Sequence, residues 1–176
     1  MHCRRDRVAG GTYFITLNLA DRSADTLVRH FDVLREVMDK VKERHPFSLV
    51  AMVVLPEHLH AIWRLPAGDA DYPRRWSLIK AGFSRRLERD ERIRDSRAAK
   101  RERGIWQRRY WEHQIRDEAD LARHVDYVHF NPVKHGWVRR PGDWPHSTLH
   151  GYIARRMVPS DWGAGEVDER GGFGER

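Results

Sequence analysis

The stretch from Phe47 to Leu65 leaves this chain the least conformational freedom. Phe47 to Leu55 is a nearly continuous apolar run, the pattern of a strand buried in a core. Pro56-Glu57 punctuates it, and His58 to Leu65 then alternates with the two-residue period of a second strand. The two close as an antiparallel pair, so the fold has to be built around a buried sheet.

The flanks supply the remaining elements. Gly10-Gly11 opens the β-branched and aromatic run Thr12 to Leu19, which reads as a strand. Asp25 is positioned as the N-cap of one amphipathic helix carrying Leu27, Phe31, Leu34, Met38 and Val41 on its apolar face, and His45-Pro46 ends it. Trp76, Ile79, Phe83 and Leu87 continue at helical spacing. Trp106 to Ile115 predicts a short strand. Asp117 then begins a helix whose Leu121, His124, Val125 and Val128 share a face. That helix is expected to stop at Asn131-Pro132, because a residue before proline avoids the α region. The order β-α-β-β-α-β gives an α+β fold of the split βαβ type, an antiparallel sheet with helices packed on it.

A length of 176 residues suits one domain, assigned to 1–163. Residues 164–176, rich in glycine and charge, are expected to form a poorly ordered tail. The 33 Lys+Arg exceed the 26 Asp+Glu, for a formal charge of +7. A balance weighted to arginine favours a polyanionic partner, since the guanidinium fork suits phosphate. The densely charged segment 85–103 reads mainly as a solvated face, and alternatively as a contact to DNA backbone. One cysteine, Cys3, cannot form an internal disulfide. The N-terminus lacks the apolar stretch of a secretory signal, and no window approaches the ~18 apolar residues of a membrane span. These features point to the cytoplasm, to no membrane and, with no apolar helix left over, to a monomer rather than a homodimer.

Three constellations carry chemistry. His58 and His60 stand two apart on a strand, so both imidazoles project from one face while Leu59 turns to the other. Such a pair can share a divalent ion and leave coordination positions open. Alone, an H-x-H pair is also compatible with two ordinary buried histidines. Tyr127 and Asn131 lie four apart on a helix and share a face, which puts a phenol beside an amide oxygen suited to a hard metal. The alternative is a tyrosine that simply packs in the core. Arg108, Arg109, Trp111, Glu112, His113 and Arg116 interleave base-stacking and phosphate-holding residues, a pattern suited to unpaired DNA. Tyr110 is the rival nucleophile. Glu57 is expected, by alternation, to face away from any metal.

Together these segments resemble the REP-associated tyrosine transposases, single-tyrosine members of the HUH endonuclease class. The resemblance rests on VLPEHLH at 54–60, IWQRRYWEH at 105–113 and HVDYVHFNPVKHGW at 124–137. DWP at 143–145 and PSDW at 159–162 add to it, so that it spans roughly residues 8 to 163. It implies a ferredoxin-like sheet, His58 and His60 as paired metal ligands with Asn131 as the third, and Tyr127 as nucleophile. It further implies Mg²⁺ or Mn²⁺ as cofactor, and as substrate single-stranded DNA at the hairpins of palindromic repeats, in the bacterial nucleoid. Cleavage would pass through a 5′-phosphotyrosine bond. Two alternatives stand beside it. One is a hydrolytic nuclease in which His58 and His60, with or without His113, serve a metal that activates water. The other is a non-catalytic hairpin-binding protein descended from a transposase.

Overall fold

The computed structural model describes residues 7–89 and 103–165. The central part of the charged segment, 90–102, and the tail from 166 lie outside the described residues.

Four antiparallel strands form one sheet in the order β2-β3-β1-β4. They are β1 (Thr12–Asn18), β2 (Ser48–Val54), β3 (His58–Arg64) and β4 (Trp111–Gln114). The buried pair read from the sequence is the β2-β3 hairpin, whose two-residue turn Pro56-Glu57 is closed by Leu55 N–H donating to the His58 carbonyl at 2.9 Å. Strand β1 inserts beside β3 rather than beside β2, which makes the β1-helix-β2 connection a split crossover.

Helices cover both faces. On one, α2 (Phe31–Arg44) and α3 (Tyr72–Arg86) pack together over Tyr13, Ile15, Leu17, Leu59, Ala61 and Trp63. Trp63 is stacked between Phe47 and Trp76, each 3.9 Å away ring to ring. Tyr13 and Tyr72 pack at 4.3 Å in the same layer. On the other face α4 (Glu118–Lys134) crosses β2 and β3, burying Tyr127 and Val128 against Phe14, Val53 and Ile62. The chain then turns through a 3-10 helix (Pro141–Asp143) to a short α5 (Leu149–Ala154). Ser147 bridges to Val53, and Trp144 Nε1 donates to the Val54 carbonyl at 3.0 Å, so this return covers the β2 edge.

Three expectations need correction. The single helix from Asp25 is two, a short α1 (Thr26–Arg29) and then α2, separated at His30. Asp25 makes no side-chain cap and pairs instead with Arg29 at 2.6 Å. The strand expected over Trp106 to Ile115 is only Trp111–Gln114. Trp106 makes an isolated bridge to Leu19, Gln107 N–H donates to the Asn18 carbonyl at 2.9 Å, and residues 108–110 belong to no strand. Finally, α4 does not stop at Asn131-Pro132 but runs through Pro132 to Lys134. A proline in the last turn forfeits only one intrahelical bond, and the helix is ended further on by glycine. Gly136 adopts φ +72°, its N–H bonds the Val133 carbonyl, and Trp137 N–H bonds the Pro132 carbonyl, both at 2.9 Å. This paired closure around a left-handed glycine satisfies the last carbonyls.

His129 gives the fold a predicted acid sensitivity. It is buried on α4 with Nε2 3.0 Å from Thr148 Oγ1, and burial lowers its pKa to about 4. The unfolded chain therefore binds a proton between about pH 6.5 and pH 4 that the folded chain refuses, and stability falls as pH drops through that window. The loss by pH 4 amounts to about 3 kcal/mol. Urea unfolding at pH 7 and pH 4 should show that loss, and His129→Gln should lessen it by a similar amount. Equal acid losses in both proteins would contradict the assignment.

Candidate active site

The face of the sheet under α4 carries the histidines. In the β1-β3 register Thr16 lies opposite His60 and Asn18 opposite His58, so four buried polar residues stand together at one end of the β1-β3 ladder. The His58 and His60 rings are 4.9 Å apart and nearly perpendicular, and both are fully buried. Leu59, between them, enters the opposite core.

Each ring is held from behind. His58 Nδ1 lies 3.0 Å from Glu57 Oε1. A carboxylate can only accept, so Nδ1 carries the proton and the lone pair sits on Nε2. That atom is buried and has no hydrogen-bond partner among the described residues. His60 Nδ1 meets Thr16 Oγ1 at 2.8 Å, leaving its Nε2 as the outward nitrogen. A histidine oriented by a carboxylate or hydroxyl on one nitrogen, with the other nitrogen turned into a buried space, is the donor arrangement a divalent ion requires. The residues fit such an ion.

Glu57 thus does not face away, as alternation suggested. It belongs to the turn, where strand alternation does not hold, and its carboxylate folds back onto His58. Burial acts to raise its pKa. The hydrogen bond from His58, with Arg22 at 3.6 Å, outweighs this and holds it below the usual carboxylate range.

Helix α4 brings the phenol. Tyr127 is 1% exposed, and its ring meets the His60 ring edge-on at 5.3 Å between centroids. Asn131, one turn further along, is fully buried. Phe14 is the hub that fixes these rings, lying 5.4 Å from His60, 6.0 Å from Tyr127, 4.9 Å from His124 and 5.4 Å from Trp111. The extra turn of α4 past Pro132 adds two residues that sequence reasoning did not single out. Lys134 Nζ donates to the Tyr127 hydroxyl at 3.1 Å, and the His135 ring sits 5.0 Å from His58.

The remaining predicted residues spread outward. Trp111 and His113 face α4, whereas Glu112 pairs with Ile15 and faces the other way. Arg108, Arg109 and Arg116 are exposed. Tyr110 packs against the core on the far side of the sheet from the histidines, and it lines a cavity of about 730 Å³ with Lys80, Arg85, Arg103, Trp106 and Arg108.

A second polar cluster adjoins the first. His113, Asp120 and His124 bring ligand-type atoms within 4.8 Å of one another, and they could hold a metal ion. Asp120 caps this group, accepting from His113 Nε2 at 2.8 Å and from the Arg116 N–H at 3.0 Å. Burial would raise the Asp120 pKa, but these bonds and the two imidazoles bring it down to about 2. His124 is lowered by burial against the opposing pull of Asp120. Its Nδ1 lies 2.8 Å from the Asp120 carbonyl, an acceptor, so that nitrogen carries a proton. The i, i+4 spacing of Asp120 and His124 was the available sequence signal for this cluster.

No protein-family model matches the chain. A REP-associated tyrosine transposase of Escherichia coli (strain K12) is 45% identical over 166 residues, covering 94% of this chain and 92% of the relative. A relative from Haemophilus influenzae is 43% identical over 161 residues, 91% of this chain and 92% of its own length. A solved structure described as a REP-associated tyrosine transposase bound to a REP hairpin superposes with a TM-score of 0.85 at 44% identity, covering 100% of this chain and 98% of that one. With sequence identity at this level along nearly the whole of both molecules, and the same architecture, the chain belongs to the family of REP-associated tyrosine transposases.

Proposed function

We propose that this chain cuts and rejoins single-stranded DNA at palindromic hairpins with Tyr127 as nucleophile, and that His58, His60 and Asn131 hold a Mg²⁺ or Mn²⁺ ion. The carrying observation is the buried contact of the Tyr127 and His60 rings, 5.3 Å apart, beside an Nε2 of His58 that has no hydrogen-bond partner among the described residues. The hairpin in the solved relative supports the substrate class. When bound, the ion would polarise the scissile phosphate and offset the charge that builds on its oxygens.

The protein's own part is nucleophilic. The Tyr127 oxygen forms a bond to phosphorus as the bond to the 3′ oxygen breaks, giving a 5′-phosphotyrosine and a free 3′-hydroxyl. The phenol's proton goes to solvent, and the departing oxygen takes one from solvent. One phosphodiester replaces another, so rejoining needs no ATP. The exposed Arg108, Arg109 and Arg116 hold backbone phosphates, and Trp111 offers a surface for a base. Residues 1–163 act as one domain and as a monomer, in the cytoplasm, on nucleoid DNA. No helix among the described residues is long and apolar enough to cross a membrane.

The test is incubation with a palindromic-repeat hairpin oligonucleotide carrying a single-stranded flank, with Mn²⁺. A protein band retarded by covalently attached DNA is expected. Cut DNA with no attached protein would instead establish a hydrolytic nuclease, and binding without any cleavage a hairpin-binding protein.

A further inference from the structure

We infer that Lys134 is a catalytic residue of the same site: its ammonium group donates to the Tyr127 oxygen and stabilises the negative charge which that atom carries both as attacking and as departing group. The inference rests on the reading of Tyr127 as nucleophile and adds a residue to it.

Two contacts define the placement. Lys134 Nζ is 3.1 Å from the Tyr127 hydroxyl, and it also stands over the Tyr127 ring, 4.6 Å from its centroid. The residues are seven apart, two turns of one helix, so the pairing exists only because α4 continues past Pro132. A cation over the aromatic face and a donor on the phenol oxygen together fix the ring's rotation and the direction of the oxygen's lone pairs. Neither contact requires DNA, so the nucleophile is oriented before substrate arrives.

The energetic case follows from where charge develops. As O–P forms, the tyrosine oxygen gives up its proton to solvent and carries negative charge towards phosphorus. In rejoining, the 3′-hydroxyl attacks, the O–P bond to Tyr127 breaks, and the same oxygen departs with the electron pair before regaining a proton from solvent. A positive donor already in place acts on that oxygen in both directions. A preorganised donor of this kind in a site screened from water is worth on the order of 10²-fold in rate. By microscopic reversibility the factor applies equally to cleavage and rejoining, leaving the balance between them unchanged. A lysine that merely contacted DNA backbone would behave differently. It would weaken binding and flatten the salt dependence of affinity by about one phosphate's worth.

The experiment measures single-turnover cleavage of pre-bound hairpin DNA, and rejoining of the purified adduct after addition of 3′-hydroxyl strand, for wild type, Lys134→Met and Lys134→Arg. Lys134 is only partly buried, so the substitutions spare the core. The methionine variant should lose about 10²-fold in both rates, keep hairpin affinity within about threefold, and show an unaltered adduct fraction at equilibrium. The arginine variant should recover most of the rate. Wild-type rates in the methionine variant would overturn the inference, as would a rate loss matched by lost affinity or confined to one direction. A wild-type enzyme that forms no adduct would remove the nucleophile reading itself, a result distinguishable from all of these.

Discussion

Tyr127→Phe is expected to abolish the covalent DNA adduct while leaving hairpin binding within a few-fold of wild type. The substitution removes one oxygen and keeps the ring. The edge-on contact with His60 and the packing on Phe14 therefore survive, and the buried face of α4 stays intact. What disappears is the acceptor of the Lys134 hydrogen bond and the atom that bonds phosphorus. No neighbouring group replaces it. Tyr110 lies across the sheet, Tyr13 and Tyr72 are packed against one another on that same far side, and Tyr152 hydrogen-bonds the Val50 carbonyl at 2.8 Å. Electrophoretic separation of adduct, alongside anisotropy with labelled hairpin, checks both halves of the prediction. Adduct formation by the phenylalanine variant would rule out Tyr127.

His58→Ala and His60→Ala should each reduce cleavage by on the order of 10³-fold, with hairpin affinity in the absence of metal little changed. A metal's stabilisation of charge at phosphorus is worth several kcal/mol, and each 1.36 kcal/mol is tenfold in rate. EDTA should bring the wild type to the level of the variants. Glu57→Gln and Thr16→Val act through the rings they orient, and they should weaken Mn²⁺ binding by about 10–100-fold without abolishing it. The comparison variant is His113→Ala. If the ion that serves cleavage sits between His58 and His60, this change leaves the Mn²⁺ dependence of the rate in place. A lost Mn²⁺ dependence in His113→Ala, with His58→Ala unaffected, would assign the metal to the His113-Asp120-His124 cluster instead.

The pairing of the histidines on one face was legible because strand alternation is fixed by backbone geometry, and the VLPEHLH stretch places both imidazoles within β3, His58 as its first residue and His60 as its third. The α+β architecture was legible for the same reason, since the apolar run and the helical spacings left few other arrangements. What stood opposite the histidines was not legible. Thr16 and Asn18 stand opposite them through the β1-β3 register, which no local pattern encodes. Glu57 was misplaced by extending alternation one residue into a turn. Lys134 was hidden by a sound rule applied where it did not decide. A residue before proline resists helix, yet at the final turn the closure at Gly136 outweighs that cost. The i, i+4 pair of Asp120 and His124 was legible on one helix, but its completion by His113 was not, because that residue comes from β4, which only the fold brings beside the helix.

Whether Tyr127 is the residue joined to DNA is decided by mapping the adduct with trypsin and mass spectrometry. Cleavage after Arg123 and Lys134 releases HVDYVHFNPVK, in which Tyr127 is the sole tyrosine, whereas the rival Tyr110 falls in YWEHQIR. A nucleotide phosphate mass on the first peptide, fragmenting at Tyr127, is the predicted result. The same mass on YWEHQIR would contradict it.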